Sequence, residues 1–277
     1  MTGFQPIVPL SGYSGWQFLV RTADTQKTAF DNSAQMQRDI AYFKENIGKA
    51  TTAKELVSDY RLLKIALGAF GLDDDIGKKA YVLKALEEGT DSDDAFANRI
   101  VDKRYRQFAK AFGYGNQFGA KVGQSNFAQS IITPYKTRQF EIAVGDSNQS
   151  MRLAMSFTRE IPTFANSNSP DQAAWFEVMG NPPLKKIFET AFGLPRTFGA
   201  IDIDRQRQIF KEKSEKMFGS SSLEVFKDPA NVEKLLRTFF VRKQIAEGPS
   251  NTAPGSTALT LLQNAASGMN SLFQSRL

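Results

Sequence analysis

Apolar residues along this chain return every three or four positions instead of every second one, the spacing of helices that each bury a single face. Leu56, Tyr60, Leu63, Leu67 and Phe70 form one such stripe, and Val232, Leu235, Leu236, Phe239 and Phe240 form another. Polar residues and glycines mark where the helices begin and end. Thr52 and Glu55 are placed to satisfy each other's free backbone N–H groups, so a helix starts there. Gly71 ends it at a position that favours a left-handed residue, with Leu72 as the accompanying apolar contact. Ser169-Pro170-Asp171-Gln172 opens a later helix in the same way. Gly180-Asn181-Pro182-Pro183 interrupts that helix and restarts it with Asn181 as the N-cap. The pattern also predicts a helix carrying Phe96, Ile100, Tyr105 and Phe108 and closed at Gly113, and one over Ile203–Phe218 stopped by Gly219. Asp228-Pro229 opens a further helix that Gly248 stops. Tyr135 to Phe157 reads as one long helix or two short ones around Gly145. Val, Ile and Thr do not gather in alternating runs. The expected fold is all-α and multihelical.

The stripes also repeat. Leu62–Leu72 (LLKIALGAFGL) returns 122 positions later as Leu184–Leu194 (LKKIFETAFGL), with seven of eleven residues identical. With one gap, Arg38-Asp39-Ile40 and Phe43 pair with Arg159-Glu160-Ile161 and Phe164. An internal duplication follows as the expectation, with two similar helical subdomains. The expected boundaries are an extended, Pro/Gly-rich arm over 1–25, subdomains over 26–113 and 140–246, and a connector over 114–139. A linker over 247–257 then leads to a C-terminal amphipathic helix over 258–277. In that last segment Leu262, Ala266, Met269 and Phe273 form one row, and Leu261, Ala265 and Leu272 run beside it. Such a stripe cannot pair with itself, so Leu262, Met269, Leu272 and Phe273 are the candidate interaction residues.

Composition narrows the chemistry. With 277 residues, 41% of them hydrophobic and 23 of them Phe, the chain can build a packed core. It has no histidine and no cysteine. Disulfides, Cys/His zinc sites, axial haem histidines, Cys nucleophiles and imidazole-based triads are therefore excluded. An enzyme would have to work with Asp, Glu, Lys or Tyr, so no catalytic, cofactor-binding or metal-binding residue is assigned. The net charge of +6 suits an acidic partner, but Lys and Arg are interleaved with Asp and Glu along helix faces. No stretch approaches the roughly 18 apolar residues of a membrane span. Met1–Leu19 lacks a cleavable signal pattern, which implies a cytoplasmic protein or one that leaves by a route without a cleaved signal.

Four motifs hint at chemistry, and for each a structural reading is the stronger one. Asp73-Asp74-Asp75 offers hard-cation ligands but lacks the spacing of a calcium loop, and is read as a solvated turn. Asp91-Ser92-Asp93-Asp94 is read as N-capping and dipole compensation for the next helix. Gly113-Tyr114-Gly115 with Gly119 and Gly123 has glycines enough to cradle phosphate, but it follows a helix where a dinucleotide fingerprint follows a strand. Arg205, Arg207, Lys211, Lys213 and Lys216 alternate with four carboxylates and present no coherent phosphate-binding face, so nucleic acid is disfavoured.

The opening FQPIVPLSGYSGWQFL, the segments Arg138–Gly145 and Met151–Met155, and the two AFGL endings resemble a bacterial domain-of-unknown-function family. The resemblance spans roughly 4–246. Its members are typically encoded among flagellar genes of alphaproteobacteria. The resemblance implies a duplicated multihelical fold and a flagellum-associated role, with no catalytic residues to carry over. The expected function is that of a non-enzymatic interaction or structural protein of the flagellum or its assembly. Its partner would be a flagellar component, the export machinery or a second copy of the chain. The alternatives are a cytoplasmic adaptor for an acidic partner such as nucleic acid and, least favoured, a carboxylate-based metal-dependent hydrolase.

Overall fold

A computed structural model describes residues 4–167 and 171–247, and every regular element among them is a helix. In chain order these are α1 (Gly12–Asp31), α2 (Ala34–Asn46), α3 (Ala53–Ser58), α4 (Tyr60–Phe70), α5 (Lys79–Glu88), α6 (Phe96–Arg99) and α7 (Lys103–Phe112). They continue with α8 (Phe127–Ser147), α9 (Gln149–Ala165), α10 (Asp171–Met179), α11 (Pro182–Ala191), α12 (Ile203–Phe218) and α13 (Pro229–Glu247). The all-α expectation holds among the described residues.

The helices enclose two hydrophobic cores. The first is built on α2 to α7 and the first half of α8, with Phe43, Leu63, Leu67, Phe108, Phe112 and Tyr135 at its centre. The second is aromatic: Trp175, Phe188, Phe210 and Phe226 stack and tilt against one another with ring centroids 5.3–6.2 Å apart. The long helix α8 belongs to both cores, giving Ile131, Ile132 and Tyr135 to one and Phe140 and Val144 to the other.

This architecture moves several expected boundaries. The extended arm over 1–25 is corrected: α1 begins at Gly12 and buries Trp16 and Leu19 in the second core, packed beside α8 and α13. The connector over 114–139 is likewise corrected, since α8 starts at Phe127 and runs through Pro134. Proline costs a helix one backbone hydrogen bond, but here α8 packs closely along α4. The stripe from Leu56 to Phe70 is divided between α3 and α4. Asp59 turns extended (ψ 106°) and caps α4 by accepting from Arg61 N (2.9 Å) and Leu62 N (3.0 Å). That break turns Tyr60 outward, where it is 59% exposed. The expected helix from Phe96 to Phe112 is likewise split, with Asp102 capping α7. The long helical stretch after Tyr135 breaks at Asn148 rather than at Gly145, because Asn148 accepts the N–H groups of Ser150 and Met151.

Other punctuation stands as read. The Thr52–Glu55 capping box forms in both directions, Asn181 caps α11, and α12 ends at Gly219 in the left-handed region. Both AFGL segments end in the same reversed pair of hydrogen bonds. Leu72 N donates to Leu67 O (3.0 Å) and Leu194 N to Glu189 O (2.9 Å), while Gly71 N donates to Gly68 O and Gly193 N to Thr190 O. Gly71 and Gly193 have φ of 71° and 67°. The N-caps Asp59 and Asn181 occupy matching positions in the two segments. Ser169-Pro170 and Gly248 lie outside the described residues.

Candidate functional site

A cluster of charge sits where the two cores meet, and it begins with the end of α4. Once Gly71 has turned the chain, the last carbonyls of α4 face out and need donors. Arg138, from the middle of α8, donates Nε to Ala69 O (3.1 Å). Arg104, from α7, donates Nη1 to Gly71 O. Cations at a helix C-terminus also meet the negative end of its dipole.

The second half contributes α9. Arg159 makes a two-pronged pair with Glu141 of α8, Nε to Oε1 at 2.7 Å and Nη2 to Oε2 at 2.9 Å. Ser156 donates its hydroxyl to Glu141 Oε2 (3.0 Å). Glu160 is shared: Oε1 accepts from Arg159 Nη1 (2.8 Å) and Arg138 Nη2 (3.3 Å), and Oε2 accepts from the side-chain amide of Asn181, the cap of α11. Arg104 is held in turn by Asp102, with Nε and Nη2 on the carboxylate at 2.6–3.1 Å. Five helices are thereby tied together by one polar network.

The network floors an open cleft of about 490 Å³. Phe164 and Pro182 form an apolar wall, and Lys103, Arg106 and Glu177 stand at the rim. Burial pulls the Arg138 guanidinium below its ordinary value, and the positive charge of Arg159 adds to this. Burial acts on Arg159 and Arg104 in the same direction, but the bonds to Glu141 and Asp102 outweigh it and raise both. Arginine stays charged in proteins, so these groups cannot take or give protons in a reaction. What they can do is hold an anion, because a guanidinium presents a planar fork that matches carboxylate and phosphate oxygens.

The residues singled out by sequence fare differently. Leu262, Met269, Leu272 and Phe273 lie outside the described residues. The Asp73–Asp75 run forms a short 3₁₀ turn whose carboxylates are divided among partners. Asp73 accepts from Gln139 (2.7 Å), and Asp75 from the Tyr105 hydroxyl (2.7 Å) and Lys78 (2.6 Å). Among the described residues no group of three acidic side chains is placed to hold a metal ion. The capping role expected for Asp91–Asp94 is corrected: Ala95 is the N-cap of α6, Glu88 accepts the Phe96 N–H (2.6 Å), and Asp91 accepts from Gln117 N (2.7 Å). Gly115 lies against the backbone of Glu87 and Gly89, so that glycine serves a close approach of chain to chain. In the basic run, Arg207 is committed to the Phe176 ring (4.7 Å) and to Asp204. No described helix is long and apolar enough to cross a membrane. The arginine network itself was not expected from sequence. Its signals were in view, since Arg138 and Glu141 fall in the family-like segment and Arg159-Glu160 in the repeated flank, but nothing in the sequence showed that they converge.

A family model described as "Protein of unknown function (DUF1217)" matches residues 69–232, a span that includes Arg104, Arg138, Arg159, Glu141 and Glu160. The X-ray crystal structure of protein AGR_C_984 from Agrobacterium tumefaciens is similar, with 26% sequence identity and a TM-score of 0.67. The match covers 86% of this chain and 97% of that one. No curated protein matches the chain. The family match extends over more than half of the sequence, and the chain belongs to the DUF1217 family.

Proposed function

We propose that this DUF1217 protein is a non-enzymatic helical interaction protein that works with the bacterial flagellum or its assembly. The observation that carries the reading is the cleft between the cores. Its floor is made of guanidinium groups locked by fixed hydrogen bonds, which suits holding a partner's anionic group and does not suit proton transfer. The flagellar assignment draws on the resemblance of the N-terminal and Arg138–Met155 segments to a family encoded among flagellar genes. Similarity to a protein of an alphaproteobacterium is consistent with that origin. The partner is a protein of the flagellum or its export machinery, with the stripe of Leu262, Met269, Leu272 and Phe273 as a second contact.

The test is a chromosomal deletion, scored for swimming, together with fractionation of the tagged full-length protein in strains with and without the flagellar export apparatus. The expected result is impaired swimming, and co-fractionation with flagellar structures that depends on the apparatus. Normal swimming with no flagellar association in either strain would overturn the proposal.

A further inference from the structure

The way the three guanidiniums are used narrows what the cleft can hold. Arg104 commits Nε and Nη2 to Asp102 and Nη1 to a backbone carbonyl. Arg159 commits all three nitrogens to Glu141 and Glu160. Arg138 has Nε on Ala69 O and Nη2 on Glu160 at 3.3 Å, an oxygen that already accepts from Arg159 at 2.8 Å. Its Nη1 makes no hydrogen bond among the described residues, although the side chain is only 19% exposed. The lining carries an excess of positive charge: Lys103, Arg104, Arg106, Arg138 and Arg159 face Asp102, Glu160 and Glu177.

At Gly193, the matching end of α11, the three atoms nearest a Cβ all belong to the guanidinium of Arg242, whereas at Gly71 they belong to Arg138 and Arg104. The end of α4 thus draws on two arginines, Arg138 on Ala69 O and Arg104 on Gly71 O.

We propose that the cleft is a recognition site for a side-chain carboxylate of the protein partner, an Asp or Glu seated against Arg138 Nη1 with its methylenes along Phe164 and Pro182. Singly charged carboxylate is the fitting class. One unused guanidinium nitrogen matches one carboxylate oxygen, and the Glu160 and Glu177 carboxylates disfavour a dianion such as phosphate. This inference rests on the interaction reading above and gives it a chemical specificity.

The test uses the full chain and a fluorescein-labelled peptide of alternating Glu and Leu, its Gln-for-Glu counterpart, and inorganic phosphate as competitor. Saturable binding of the Glu peptide is expected, and the Gln counterpart should bind at least tenfold more weakly. Losing a hydrogen bond to a charged group corresponds to roughly tenfold to hundredfold in affinity, so Arg138→Gln should weaken the Glu peptide by that much. Arg106→Gln, at the exposed rim and with no hydrogen bond or ion pair among the described residues, should weaken it several-fold with an unchanged melting temperature. This guards against reading an unfolded variant as a lost site. Arg21→Gln, on the exposed side of α1, should leave binding as in the wild type. Equal binding of the Glu and Gln peptides would overturn the site, as would wild-type affinity in both cleft variants. Displacement by millimolar phosphate would reassign it to a phosphate-bearing ligand. If the peptide fails to bind while the protein still co-fractionates with flagellar structures, this site falls and the interaction reading stands.

Discussion

Replacing Gly71 by alanine tests how the end of α4 is coupled to the charge network. Two costs add. The residue sits at φ 71° and ψ 29°, a left-handed conformation that costs a residue with a Cβ about 1–2 kcal/mol. The new Cβ would also stand 2.8 Å from Arg138 Nη1 and 3.5 Å from Arg104 Nη1. The Arg138 guanidinium is the free end of a long side chain, so it swings aside instead of clashing, and it loses the bonds to Ala69 O (3.1 Å) and Glu160 (3.3 Å). Both bonds are long and Arg138 is partly exposed, so their joint loss is set at about 2 kcal/mol, that of one well-formed hydrogen bond to a charged group. Gly219→Ala is the control. It has nearly the same conformation (φ 77°, ψ 11°), but a Cβ there meets nothing within 4 Å. Urea unfolding followed by circular dichroism should show Gly71→Ala losing about 3–4 kcal/mol and Gly219→Ala about 1–2 kcal/mol. At roughly 2–4 °C per kcal/mol for a chain of this size, the two melting temperatures should differ by about 4–8 °C. In an Arg138→Ala background the two glycine substitutions should cost the same, since the bonds at stake are already gone. Equal losses in the wild-type background would refute the coupling.

Phe188 is fully buried and has ring neighbours at 5.3–5.5 Å in Phe157, Trp175, Phe192 and Phe226. Phe188→Ala should therefore cost about 3–5 kcal/mol in urea unfolding, and a loss under 1 kcal/mol would mean that the second core is not packed as described. Burial alone would raise the Asp75 carboxyl, but the bonds from Lys78 and Tyr105 outweigh it and hold it below its ordinary value of 3.8. The stability this gives is present above about pH 4 and is lost as pH falls through the lowered folded value, so Asp75→Asn should flatten the acid limb of a stability-against-pH curve. Superimposable acid limbs for the wild type and the variant would count against the Asp75–Tyr105–Lys78 arrangement.

Short-range features were legible in the sequence because their physics is short-range. The Thr52–Glu55 box, the Asn181 cap before two prolines, and the glycine endings at Gly71, Gly193 and Gly219 each depend on a few consecutive residues. Short breaks were harder. Asp59, Asp102 and Asn148 each interrupt a periodic apolar stripe by accepting N–H groups from the next residues. The apolar spacing in the sequence carries on across so short a break, so periodicity alone cannot see the cut. The start of α1 was hidden for the opposite reason. Glycines and prolines around Tyr13 and Trp16 read as a loop, while burial of Trp16 and Leu19 against α13 outweighs their weak local propensity.

The sequence by itself determined that the chain is helical, where several helices cap and stop, that two segments share one design, and that chemistry dependent on histidine or cysteine is absent. Those properties are set by residue type and by spacings of three or four, which tertiary packing does not alter. Only the tertiary structure decided that α8 serves both cores, and that Arg104, Arg138, Arg159, Glu141 and Glu160 meet at the end of α4. Their separations along the chain reach 69 residues, between Arg138 and the carbonyl of Ala69. A guanidinium carries no mark in the sequence of which carbonyl or carboxylate it will reach. Helix packing brings the groups together, and the cost of burying them keeps them paired.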